Sequence, residues 1–208
     1  MSKCDTTCNP VNHIKQWNDV HEEAKKLIFK HSCIGGAIAL IPIPVAGEVA
    51  VLINQIAMYR GINKLVGINF TDSVLKNIGN FLLSQLAGVG VGMAALIGVT
   101  AVAKCIPGLN FIAAIAQAPA AGVANYVCGI AYYHMLGKFL KSGGDAYSSE
   151  DDVIRMMRNS SLSPDELKKV KEEAERQMKG ADYSSFKTEA NAYADEAKRN
   201  SCQYRKIK

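Results

Sequence analysis

The chain has 208 residues, enough for one domain with appendages and a substantial core. Its 24 Lys and Arg against 19 Asp and Glu give a net charge of +5, too dilute for the dense basic stripe that a nucleic-acid surface needs. Six scattered cysteines (Cys4, Cys8, Cys33, Cys105, Cys128 and Cys202) form no CxxC pair and no Cys/His zinc spacing, and they point to a reducing compartment.

The average charge hides a partition. Residues 33–144 carry six cations (Arg60, Lys64, Lys76, Lys104, Lys138 and Lys141) and only two acids, Glu48 and Asp72. Residues 145–208 carry thirteen charges of each sign. The polar opening MSKCDTTCNP does not read as a signal peptide.

Along the chain, Val11, Ile14, Trp17, Val20, Ala24, Leu27, Ile28 and His31 recur at three or four and predict an amphipathic helix over 11–31. A short helix to about Leu40 follows, then a hairpin turn at Pro42 and Pro44, where the missing N–H groups interrupt a helix. A helix from about Val45 to Val66 stops at Gly67. Thr71-Asp72 is a candidate N-cap for a long helix to about Lys104. Its stretch Ile78–Ala103 holds no charge and would measure about 39 Å as helix, more than the roughly 30 Å of bilayer hydrocarbon. Pro107-Gly108 marks a second turn. Cys105–Gly137 again lacks Asp, Glu, Lys and Arg, with Pro119 expected to kink or split it. Lys138, Lys141 and Ser142-Gly143-Gly144 close the block.

In the tail, Ser149 can open a short helix. Ser163-Pro164-Asp165-Glu166 is a stronger start, with Ser at the cap, Pro at the first position and Glu three after Ser. Leu167, Val170, Ala174 and Met178, then Phe186, Ala190, Tyr193 and Ala197, form narrow apolar stripes with charged backs. Such helices dock on something or bind a partner. The expected fold is all-α. It has an N-terminal amphipathic helix (1–32), two apolar helical hairpins forming a bundle (33–144) and a charged helical tail (145–208).

Within the block, Gly88, Gly92 and Ala95 share one helix face, and Ala118, Gly122 and Gly129 line the next helix. Small faces let helix backbones approach closely, in a membrane or in a tightly packed soluble hairpin. The glycines of GVGVGMAALIG are not a phosphate loop, since no Lys-Ser/Thr follows and no strand precedes. Glu48 reads either as a helix-start acid favoured by the macrodipole or as a buried charge with Lys104 or Arg60 for partner. His13, His21, His31 and His134 share no ligand spacing, and no nucleophile–base or paired-carboxylate arrangement stands out. The chain reads as a non-enzyme without catalytic, cofactor-binding or metal residues.

The run Ala39-Leu40-Ile41-Pro42-Ile43-Pro44, an acid soon after it (Glu48), Gln55 and Met58, Gly67, Ile106-Pro107-Gly108 and a Gly/Ala-rich helix ending in aromatics give residues 33–143 a resemblance. They resemble the domain of unknown function 697, a bacterial GTPase-associated family. The family more often has Asp at the position of Glu48, the charged tail is outside its pattern, and no GTPase domain is present in this sequence. The resemblance implies a membrane-associated accessory module and transfers no catalytic residue.

The leading expectation is therefore a membrane-associated accessory or scaffold protein at the cytoplasmic face, with Lys76, Lys138 and Lys141 on that side. Its expected partners are membrane lipid or a protein, a GTPase among them, and further copies of itself. Two alternatives stay open: a soluble helical bundle that self-assembles into an oligomer or filament, and a pore-forming or membrane-remodelling protein.

Overall fold

A computed structural model describes residues 20–41, 46–88, 109–144 and 148–205. Those residues form α1 (His21–Leu40), α2 (Ala46–Leu65), α3 (Asp72–Gly88), α4 (Leu109–Lys141), α5 (Glu150–Asn159), α6 (Pro164–Met178), a 3-10 turn (Ser184–Phe186) and α7 (Lys187–Arg205). Among the described residues there is no strand, and the fold is all-α, as the periodicity predicts.

Two expectations about helix breaks are corrected. The helix expected to end near His31 and the short one after it are a single helix, α1, which runs unbroken through Gly35-Gly36. These glycines admit neighbours instead of ending the helix. A Cβ on Gly35 would overlap the Asn125 side chain, and one on Gly36 would overlap the Tyr183 ring and lie 2.9 Å from the Ala118 carbonyl oxygen. Likewise α4 is not split at Pro119, which lies on the helix's exposed side. The 33-residue helix passes through it, forgoing the hydrogen bond that a proline nitrogen cannot donate.

The helix ends follow local rules closely. Thr71 Oγ1 accepts from the Val74 amide at 3.4 Å and starts α3. After α2, Gly67 takes φ 72°, its amide bonds Lys64 O, and Ile68 N bonds Asn63 O at 2.9 Å. The same double bond, from Gly143 N to Leu140 O and from Gly144 N to Phe139 O, ends α4. Ser149 caps α5 by accepting from Asp152 N, and Ser163 with Glu166 forms a complete capping box on α6.

Helix α4 is the axis of the bundle. Helix α1 runs antiparallel to it: His21 meets Tyr133, Ile28 lies on Gly129, and Gly35 lies on Asn125. Helix α2 runs parallel to α4, with Asn54 near Asn125, Met58 against Gly129 and Asn63 bonded to Tyr132. Helix α3 turns back along α2, with Gly79 facing Tyr59. Helix α6 is antiparallel to α4, from Glu166 near His134 to Met178 against Gly122.

The core has two parts. The larger joins α1–α4 to the tail through Val153, Met157, Leu162, Leu167, Ala174 and Met178. The smaller joins Ile34, Ala37, Ile38 and Ala50 of α1 and α2 to Ala190, Ala194 and Ala197 of α7. The stripe on α6 anticipated from sequence is the one it buries, with Val170 only partly covered.

Candidate functional site: the uncharged end of the bundle

These helix directions put four helix ends together. The C-termini of α1 and α3 and the N-termini of α2 and α4 all point to one end of the bundle, where they lead into residues 42–45 and 89–108. Residues 31–41, 49–59, 77–88 and 109–137 contain no Asp, Glu, Lys or Arg. Glu48, in the first turn of α2, is thus the one formal charge in that half of the four-helix core.

The opposite end gathers the charges. Lys138 and Lys141 occupy the last turn of α4, where cations offset the macrodipole. Arg60 pairs with Asp72, and Thr71 Oγ1 donates to Glu150 at 2.6 Å. Burial, assisted by Lys138, lowers the His134 pKa below its usual value.

Inside the uncharged half lies a polar seam. His31 Nδ1 is 2.8 Å from Asn54 Oδ1, and since that oxygen only accepts, the imidazole proton sits on Nδ1. Asn54 Nδ2 donates to His31 O at 2.9 Å and reaches Asn125 Oδ1 at 3.5 Å, while Asn125 Nδ2 donates to Ala121 O. Burial lowers the His31 pKa, so the ring is held neutral. One helical face of α2 continues the seam with Gln55, Tyr59 and Asn63. Tyr59 stacks on Tyr132 at 4.2 Å, and the Tyr132 hydroxyl donates to Asn63 Oδ1 at 2.6 Å. Both amide atoms of Gln55 and Asn63 Nδ2 are buried without a hydrogen-bond partner among the described residues, while the Tyr59 hydroxyl meets the Cys128 thiol. Such groups are costly to bury in any fold.

The seam offers no nucleophile. Burial pushes the Cys128 thiol up to about 12 and the Cys33 thiol up to about 11, so both stay protonated at neutral pH. Among the described residues no three His, Cys, Asp or Glu side chains gather to hold a metal ion. Nor is any described helix long and apolar enough to cross a membrane.

The sequence-selected positions fall in several places. Ala118 is buried beside Gly36. Gly129 faces Ile28 and the Met58 sulfur, which would lie 2.7 and 2.9 Å from a Cβ there, whereas Gly122 faces Tyr183 and Met178. The glycines of α4 thus serve two different contacts. Gly88 is the last residue of α3, and Glu48 falls in the first turn of α2, where the macrodipole favours an acid. Pro42, Pro44, Gly92, Ala95, Lys104, Pro107 and Gly108 lie outside the described residues, as do the first half of the N-terminal helix expectation and the long helix beyond residue 88. Sequence reasoning passed over the seam itself. Its signal was the i, i+4, i+8 spacing of Gln55, Tyr59 and Asn63 on a helix that is otherwise apolar inward.

A family model described as a domain of unknown function (DUF697) matches residues 15–146. The chain belongs to that family. The DUF697 match takes in all of α1 as well as α2–α4, starts well before the resemblance read from residue 33, and ends where the tail begins. The chain is also similar to magnetosome membrane protein 22 of Magnetospirillum gryphiswaldense, 26% identical over 133 residues. That alignment covers 64% of this chain and 65% of the relative, just under two thirds of its length. No solved structure matches. The DUF697 region is thus the four-helix core with its uncharged end, and α5–α7 are additions packed against it.

Proposed function

We propose that this protein is a non-enzymatic, membrane-associated helical accessory protein whose uncharged end meets the bilayer. The observation that carries this is the convergence at one pole of the bundle of four helix ends whose one formal charge is Glu48, in the first turn of α2. Such a pole, leading into residues 89–108, which carry Lys104 as their one charge, suits contact with hydrocarbon. The chain's similarity to a magnetosome membrane protein supports it. In this reading the lysine-bearing pole stays on the cytoplasmic side, in keeping with the positive-inside tendency.

Flotation of the purified full-length chain with liposomes tests the reading. The protein should rise with the vesicles and resist carbonate extraction from cell membranes. Complete recovery in the soluble fraction in both experiments overturns it.

The charged pole and the outer faces of α5 and α6 are the surfaces left for a protein partner, and the family resemblance points to a small GTPase. Vesicle-bound protein should then retain such a GTPase in one nucleotide state and release it in the other. Copies of the chain should also associate side by side in the membrane, which crosslinking on vesicles reads as dimers or larger species.

A further inference from the structure

The tail helices are held in two different ways. Helices α5 and α6 and the loop between them insert Val153, Met157, Leu162, Leu167 and Met178 into the main core. The described buried side chains of α7 are Ala190, Ala194 and Ala197, while Phe186 and Tyr193 are only partly covered. An exposed ion pair, Lys30 to Glu189 at 3.9 Å, crosses the contact and adds little in water. What lies beneath α7 is much more apolar than α7 itself. Ile34, Ala37, Ile38 and Ala50 are buried there, with Ile41, Val49, Val51 and Ile53 at the margin. This face belongs to the uncharged pole, and its residues lie next to those entering 42–45.

Gly180, with φ 79° and open space where a Cβ would be, follows the end of α6. Beyond it Tyr183 is wedged against Gly36 and Gly122, with its hydroxyl donating to Met178 O at 3.1 Å. With Tyr183 seated, a release of α7 hinges after it, at the 3-10 turn Ser184–Phe186.

The geometry points to α7 as a displaceable cover, and to the α1–α2 face beneath it as a second lipid-contact surface exposed at the bilayer. The occupant is acyl chain: the face is apolar, free of charge and continuous with the pole that meets the membrane. This inference rests on the membrane reading above and adds a regulated step to it. Docked α7 keeps the face covered in water, and the bilayer competes for it.

The test uses the full chain, wild type and Ala194→Asp, with vesicles of phosphatidylcholine and hydrogen exchange as a second readout. In water, Ala194→Asp should lose protection in α7 while α5 and α6 keep theirs. Its vesicle affinity should rise about tenfold if the docked form outweighs the open one by roughly ten to one. For wild type, vesicle binding should deprotect α7 and leave α1, α2 and α6 protected. Protection of α7 unchanged by Ala194→Asp, or by vesicles in the wild type, overturns the inference. An undocked α7 with no gain in vesicle affinity also overturns it and leaves the face to a protein partner. If neither protein binds vesicles, the membrane reading itself fails.

Discussion

At the scale of single residues, the contact between α1 and α4 depends on glycine in a way that distinguishes one glycine from another. Gly35 leaves the space that the Asn125 side chain fills, and Asn125 is fixed by Ala121 O and by Asn54. Gly35→Ala should therefore cost about 2–4 kcal/mol, the sum of overpacking and a displaced buried amide, as read from urea denaturation. Gly79 faces Tyr59 at an ordinary 3.5 Å, so Gly79→Ala should stabilise by about 0.5–1 kcal/mol through helix propensity alone. Equal effects from the two variants would contradict this packing. His31 makes a further prediction. Its pKa is lowered in the fold, so above the ordinary value of 6.5 both folded and unfolded rings are neutral and pH has no leverage through this group. As pH falls below 6.5 the unfolded ring takes up a proton first, and stability drops. His134, also lowered, adds with the same sign. Wild type should thus lose stability between pH 6.5 and the onset of carboxylate titration. His31→Gln, which can still donate to Asn54, should lose less over that range.

At the scale of elements, the sequence announces a helix end when the signal is local. Ser163-Pro164-Asp165-Glu166 reads as a capping box and forms one, with Ser163 N donating to Glu166 Oε2 at 2.7 Å and Glu166 N donating to Ser163 Oγ at 3.3 Å. Ser163→Ala should cost about 1 kcal/mol in thermal or urea unfolding. Gly67 and Gly143 are readable for the same reason, since each stops a helix through its own backbone angle. Gly35-Gly36 and Pro119 are not, because tertiary packing decides whether they interrupt a helix. The sequence places a break after His31, ahead of these glycines, and only Asn125 and Tyr183 filling the space beside them show why the helix runs on. The polar seam was hidden for a related reason. Asn54, Gln55 and Asn63 look like ordinary polar residues of an amphipathic helix, and only the arrangement of α1, α3 and α4 around α2 buries them all.

At the scale of the whole molecule, the charge partition visible in the sequence becomes a polarity of the fold. The sequence shows that the central block is poor in charge. It does not show that the helix ends flanking both Pro-containing connections lie at the same pole, which follows from α1 and α3 running opposite to α4. The proposed binding through that pole is apolar and predicts a weak dependence on salt. Raising salt well beyond physiological strength, where the Debye length shrinks to about 3 Å at 1 M, should leave the protein on neutral vesicles. Release by salt would mean that the lysine-bearing pole makes the contact instead.

The pairing of α1 with α4 also has a consequence for biosynthesis. His21 bonds Tyr133 across 112 residues of chain, and the buried side of α1 finds most of its neighbours on that distant helix. At translation rates of about 5–20 residues per second, α4 follows α1 out of the ribosome by on the order of ten seconds. Throughout that interval the nascent chain presents Ile28, Ile34, Ile38 and the uncharged face of α2 without their final shield. A chain with this topology should need an escort during synthesis, and its yield in a cell-free system should rise when chaperones or bilayers are supplied while translation is under way, but not when they are added afterwards.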